Sequence, residues 1–139
     1  MITDTTTALR EWARGMFTTE AATELLIESF RGRFAALGNP WVQPGDENGA
    51  WIDFDAIPSQ VAGLSSGERA LLSIAAAIGG SARVNLGDVV CSLDSRHLGL
   101  VLAALAHANG SHRHHASGFE TPAGGSNPRT SHICFPWSE

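Results

Sequence analysis

Along the chain, apolar residues recur at helical spacing in several stretches and alternate with period two in one. In residues 7–17, Leu9, Trp12, Ala13 and Met16 share a helical face, and Gly15 weakens the end of the segment. A second helix is expected after Thr18 and Thr19, either of which can cap it. Its apolar stripe is Ala22, Leu25, Leu26, Phe30, Phe34 and Leu37, with Glu20, Glu24, Glu28 and Arg31 on the outer side. Gly32 inside that run costs about 1 kcal/mol relative to alanine, so the helix is expected to be loosest there. Gly38, Asn39 and Pro40 stop it.

Residues 39–49 read as a turn-rich linker in which Trp41 and Val42 anchor the loop to the core. The alternation of Trp51, Ile52, Asp53, Phe54 and Asp55 predicts a short half-buried strand. Asp55 is then expected to cap a brief helix with Pro58 in its first turn, turning Ile57, Val61 and Leu64 inward. The clearest local signal is Ser65-Ser66-Gly67-Glu68, a capping box in which each end satisfies a backbone N–H of the other. The helix behind it buries Leu71, Ile74, Ala75 and Ile78 and stops at Gly79-Gly80. Asn85 caps a short helix through Val89 and Val90. Asp94 caps the last strong one, with Leu93 and Leu98 as a hydrophobic staple. Its expected inner stripe is Leu98, Val101, Leu102 and Leu105, and Asn109-Gly110 ends it.

The pattern predicts a mainly α domain of about five helices with a minor two-stranded β element and a flexible C-terminal region. Residues 1–110 form the helical core. Residues 111–139 form a His/Gly/Ser-rich loop and an apolar tail, Ile133 to Trp137, expected to dock as a strand beside Trp51 and Phe54. Composition agrees: 139 residues, 43% apolar and 17% charged, are enough for one core. The longest mainly apolar run, residues 70–78, is far shorter than the roughly 20 residues of a membrane span. The start of the chain has no basic stretch leading into an apolar one, so no secretory signal is expected. A net charge of -5 argues against nonspecific binding to nucleic-acid backbones. Cys91 and Cys134 either form one bridge or, more simply, remain buried thiols in a reducing cytoplasm. Every Lys/Arg position is arginine and tyrosine is missing, a bias that high-GC codon usage produces.

Candidate chemistry is sparse. His112, His114 and His115, with His107 upstream and His132 downstream, carry imidazoles that zinc, copper or nickel accept. They sit in a Gly/Ser-rich stretch without carboxylates at matching spacing, so a solvated loop is the simpler reading. Asp53 and Asp55 share one strand face and can hold a cation, or can be the polar side of an amphipathic strand. No serine or cysteine lies in a nucleophile motif.

The stretch Leu64-Ser65-Ser66-Gly67-Glu68-Arg69-Ala70-Leu71 resembles the signature motif of ABC- and SMC-type ATPases. Residues 84–88 fall where the Walker B strand of that family lies, and Ser92-Leu93-Asp94 resembles the loop after it. The resemblance implies that Ser65, Ser66, Gly67 and Glu68, at a helix N-terminus, contact a partner and the phosphate that it holds. The departures are a missing Gly-x-x-x-x-Gly-Lys-Ser/Thr loop, Val89 at the glutamate position and Ser66 in place of the first signature glycine. Trp51-Ile52-Asp53, the Ser65–Glu68 box and Leu93-Asp94 together also resemble small uncharacterised proteins of high-GC actinobacteria and their phages. The function expected is therefore a non-catalytic, protein-binding accessory or regulatory protein of the cytoplasm, phage- or mobile-element-encoded, without a cofactor. Its partner is another protein, neither nucleic acid nor membrane. The alternatives are metal binding through the tail histidines and modulation of an ABC/SMC-type ATPase.

Overall fold

The computed structural model describes residues 4–111. Among them are five α-helices and one two-stranded antiparallel sheet, the mainly helical architecture that the hydrophobic pattern predicts. Helix α1 (Thr5–Ala13) starts where the Asp4 carboxylate accepts the Thr7 N–H, and it buries Ala8, Leu9 and Ala13. It ends at Ala13, short of Met16, and Gly15 then turns the chain at a φ of +97° that suits glycine. Helix α2 (Phe17–Glu28) is the centre of the domain and packs against α1, α3 and α5. Thr18 and Thr19 lie inside its first turn and do not cap it. No side chain caps the helix; Glu20 instead secures the chain before it, its Oε2 accepting the Gly15 N–H at 2.8 Å while Oε1 meets His107 Nε2 at 2.7 Å.

The expected continuation of α2 to Leu37 does not form. After Glu28 the chain turns through Phe30, Arg31 and Gly32, all left-handed at φ +47°, +58° and +77°, within a 3₁₀ segment Ser29–Ala35. The cause is tertiary: the turn stacks the Phe30 ring on His97 at 4.2 Å and sets it edge-on to Phe34 at 5.6 Å. Leu37, expected inside, is left exposed. Trp41 and Val42 do anchor the following loop, and Trp41 Nε1 donates to the Phe34 carbonyl at 2.9 Å.

Strands β1 (Val42–Pro44) and β2 (Ala50–Ile52) pair in the register Val42↔Ile52, Gln43↔Trp51 and Pro44↔Ala50. Among the described residues the Trp51 strand pairs with the linker, and Pro44 is tolerated because it closes an edge strand; the tail Ile133 to Trp137, expected beside Trp51 and Phe54, lies outside the described residues. Asp55 caps no helix; its carboxylate accepts the Ser81 N–H at 2.7 Å and ties down the chain leaving α3. Ile52, Phe54 and Ile57 join the core.

Helix α3 (Ser66–Gly79) carries the expected capping box and buries Leu71, Leu72, Ile74 and Ala75. Helix α4 (Leu86–Val90) is capped by Asn85, and α5 (Ser95–Asn109) by Asp94, closing on a left-handed Gly110. The inner face of α5 is His97, Leu100, Val101, Ala103 and Ala104. Leu102 and Leu105 are exposed, contrary to the leucine stripe expected from hydropathy. Both α2 and α5 bury alanines, and small side chains let two helices approach closely. Cys91, expected inside, is an exposed free thiol. Among the described residues no helix is long and apolar enough to cross a membrane.

Candidate functional site

Local capping chemistry builds the site. Ser65 Oγ accepts the Glu68 N–H at 3.2 Å, and Glu68 Oε1 accepts the Ser65 N–H at 3.1 Å. The second oxygen of Glu68 takes Arg33 Nη1 at 2.8 Å, which ties the N-terminus of α3 to the turn after α2. The Arg33 guanidinium also lies 4.7 Å from the centre of the Phe34 ring. The Ser65 amide, above all, holds the Glu68 carboxyl below its ordinary pKa, aided by Arg33.

The N-terminus of α5 reaches the same turn. Asp94 Oδ1 accepts the His97 N–H at 2.8 Å and faces His97 Nδ1 at 2.9 Å, and the first of these bonds holds its carboxyl below the ordinary value. The Phe30 N–H points at His97 Nε2 at 3.4 Å. With Nε2 accepting, the neutral imidazole carries its proton on Nδ1, toward Asp94. Both ring nitrogens are engaged, so His97 fastens α5 to the left-handed turn. Arg96 adds a bond from Nη2 to the Glu28 carbonyl at 3.0 Å.

Phe30, Gly67, Ser92, Leu93, Asp94 and His97 enclose a cavity of about 50 Å³. A wider groove of about 260 Å³ adjoins it through Ser92, with Ser66, Arg69, Ser73 and Asp88 on its walls. The two halves of the ATPase-like stretch therefore meet in space. A Cβ on Gly67 would stand 3.2 Å from the Ser92 carbonyl, so glycine allows that close approach. The carboxylates of Glu68 and Asp94 lie at the starts of α3 and α5, where the helix dipoles favour negative charge. Around them Arg31, Arg33, Arg69 and Arg96 are exposed.

Ser65, Ser66, Gly67 and Glu68 are thus brought together with Ser92, Leu93 and Asp94. Asp53 and Asp55 are not part of this cluster. His112, His114 and His115 lie outside the described residues, among which no group of three His, Cys, Asp or Glu side chains is placed to hold a metal ion. Sequence reasoning missed His97 and the Phe30–Gly32 turn. The available signals were His97 three positions after the Asp94 cap, and Gly32 within an otherwise helical stripe. Compared with family models, curated proteins and solved structures, the chain has no match.

Proposed function

We propose that this chain is a non-catalytic accessory or regulatory protein of the cytoplasm that binds another protein through the face around the Phe30–Gly32 turn and the start of α3. The observation that carries this reading is the turn itself. Two non-glycine residues, Phe30 and Arg31, hold left-handed backbone where α3 and α5 begin. Such backbone costs about 1–2 kcal/mol per residue, and strain of this kind concentrates at binding and switching sites. The exposed Arg31, Arg69 and Arg96 stand on this face beside the Glu68 and Asp94 carboxylates, so it offers charges of both signs and suits a partner surface of mixed charge. The titratable pair Asp94–His97 is engaged in holding the turn, which supports binding rather than catalysis.

The test is affinity capture from the organism that encodes the chain, with wild type beside Arg31→Glu and Ser65→Asp, and mass spectrometry of the bound proteins. Arg31 is exposed, so its replacement leaves the melting temperature unchanged while partner recovery falls. Recovery that neither variant alters refutes the assignment of this face. The juxtaposition of Gly67 with Ser92 favours one second reading, in which the partner is an ABC/SMC-type ATPase. Aspartate at position 65 preserves the cap but sets charge against a bound phosphate. A loss confined to the ATP-bound partner supports that version, and equal recovery with and without ATP removes it.

A further inference from the structure

A different part of the molecule holds an open cleft of about 650 Å³ between α1 and the β1–β2 hairpin. One wall is the Ala8, Glu11 and Trp12 face of α1, residues one helical turn apart. The other is the hairpin, from Pro44 through the loop to Trp51. Trp12, Trp51 and three acidic residues, Glu11, Asp46 and Glu47, line this space, and among the described residues that line it none is basic. Arg10, next to Glu11, is turned to Glu24 at 2.6 Å and Glu28 at 3.7 Å and leaves the cleft anionic.

The lining is held in place. Gly45 N–H donates to the Gly49 carbonyl at 2.9 Å, and Gly49 N–H to the Asp46 carbonyl at 2.8 Å, closing the loop on itself. A Cβ on Gly49 would stand 2.9 Å from the Asp46 carbonyl, so the loop requires glycine there. Trp12 is half-buried, its ring stacked near Phe54 with centroids 6.5 Å apart. Trp51 alternates outward between buried Ala50 and Ile52 and keeps 39% of its surface exposed. A water-facing indole beside carboxylates that have no ion-pair partner among the described residues recognises an organic cation, by attraction to the ring face and by ion pairing. A planar guanidinium satisfies both at once, stacking on an indole while its N–H fork meets a carboxylate. The volume falls in the range of ligand pockets, roughly 300–1,000 Å³, and exceeds what one side chain fills.

We infer that this cleft binds a basic peptide segment, with an arginine side chain against Trp12 and Trp51 and its charge met by Glu11, Asp46 and Glu47. The site is separate from the face around Phe30 and does not depend on that reading. The experiment titrates a capped Gly-Gly-Arg-Gly-Gly peptide into the full chain and follows the indole N–H signals by NMR. The same peptide with citrulline, which has nearly the same shape without the charge, is the control. Saturable shifts are expected at Trp12 and Trp51 and not at buried Trp41, with the citrulline peptide weaker by about tenfold. Glu11→Gln with Glu47→Gln, both exposed positions, is expected to weaken binding without lowering the melting temperature. Equal binding of the two peptides, a response that survives Trp51→Ala, or no saturation at millimolar peptide overturns the proposal. A lysine peptide that binds as tightly overturns the guanidinium assignment.

Discussion

Two glycines in helices, Gly79 and Gly99, are chemically alike in sequence and opposite in environment, and their alanine variants test the packing directly. Gly99 lies on the exposed side of α5, and a Cβ there has no atom within 4 Å. Gly99→Ala is therefore expected to stabilise by about 0.8–1 kcal/mol, the helix-propensity difference. Gly79 closes α3 against two other elements. A Cβ there would come within 2.7 Å of two Phe54 ring carbons and 2.8 Å of Ala22 Cβ. Carbon atoms prefer about 3.5–4.0 Å, so the ring, α2 or α3 must shift. Overpacking of this kind costs about 1–3 kcal/mol, which exceeds a propensity gain that is at its smallest in the last turn. The net expectation for Gly79→Ala is a loss of about 1–2 kcal/mol, placing the two variants about 2–3 kcal/mol apart. Urea denaturation followed by circular dichroism measures both, and a shift in midpoint at constant m value reports stability alone. Adding Phe54→Leu should recover part of the Gly79→Ala loss, a coupling of about 0.5 kcal/mol or more. A Gly79→Ala variant as stable as wild type would refute the seating of α3 between Phe54 and Ala22.

The remaining predictions concern the caps. Ser65→Ala should cost about 0.5–2 kcal/mol, since it leaves the Glu68 amide without its acceptor, and the same urea titration reads it. The Glu68 and Asp94 carboxyls have folded pKa values below their ordinary 4.5 and 3.8, so their contribution is complete above those values and is lost as pH falls through the folded ones. Stability should accordingly drop on acidification below those values, and less steeply in Glu68→Gln and Asp94→Asn, as thermal melts across an acid series would show.

What was legible in the chain and what was not divide by range. Ser65 with Glu68, Asn85 and Asp94 each satisfy an amide within the next three residues, so the starts of α3, α4 and α5 follow from local sequence. The break after Glu28 does not. Leu26, Phe30 and Phe34 keep perfect helical spacing, and only the stacking of Phe30 on His97, 67 residues away, makes the left-handed turn worth its strain. The face of α5 was misread for a related reason. Hydropathy ranks leucine above alanine, but contact with α2 is decided by which side chains permit close approach, and there the alanines win. Val42 to Pro44 was concealed as a strand by its own proline and the glycine that follows.

The candidate site was legible to the same partial extent. Ser65 through Glu68 could be picked out because the capping box is contiguous, whereas its connection to Ser92, Asp94 and His97 exists only once α3 and α5 begin side by side. Net charge was the least informative quantity of all. A total of -5 is carried unevenly: around the Phe30 turn Arg31, Arg33, Arg69 and Arg96 stand among Glu68, Asp88 and Asp94, while Glu11, Asp46 and Glu47 line the cleft beside Trp12 and Trp51 with no basic residue in its described lining. At physiological ionic strength charges are screened beyond about 8 Å, so a docked partner responds to the face it touches and not to the sum. An acidic chain can therefore offer a face of mixed charge to one protein and an acidic, aromatic cleft to another, and the two sites should respond to salt independently.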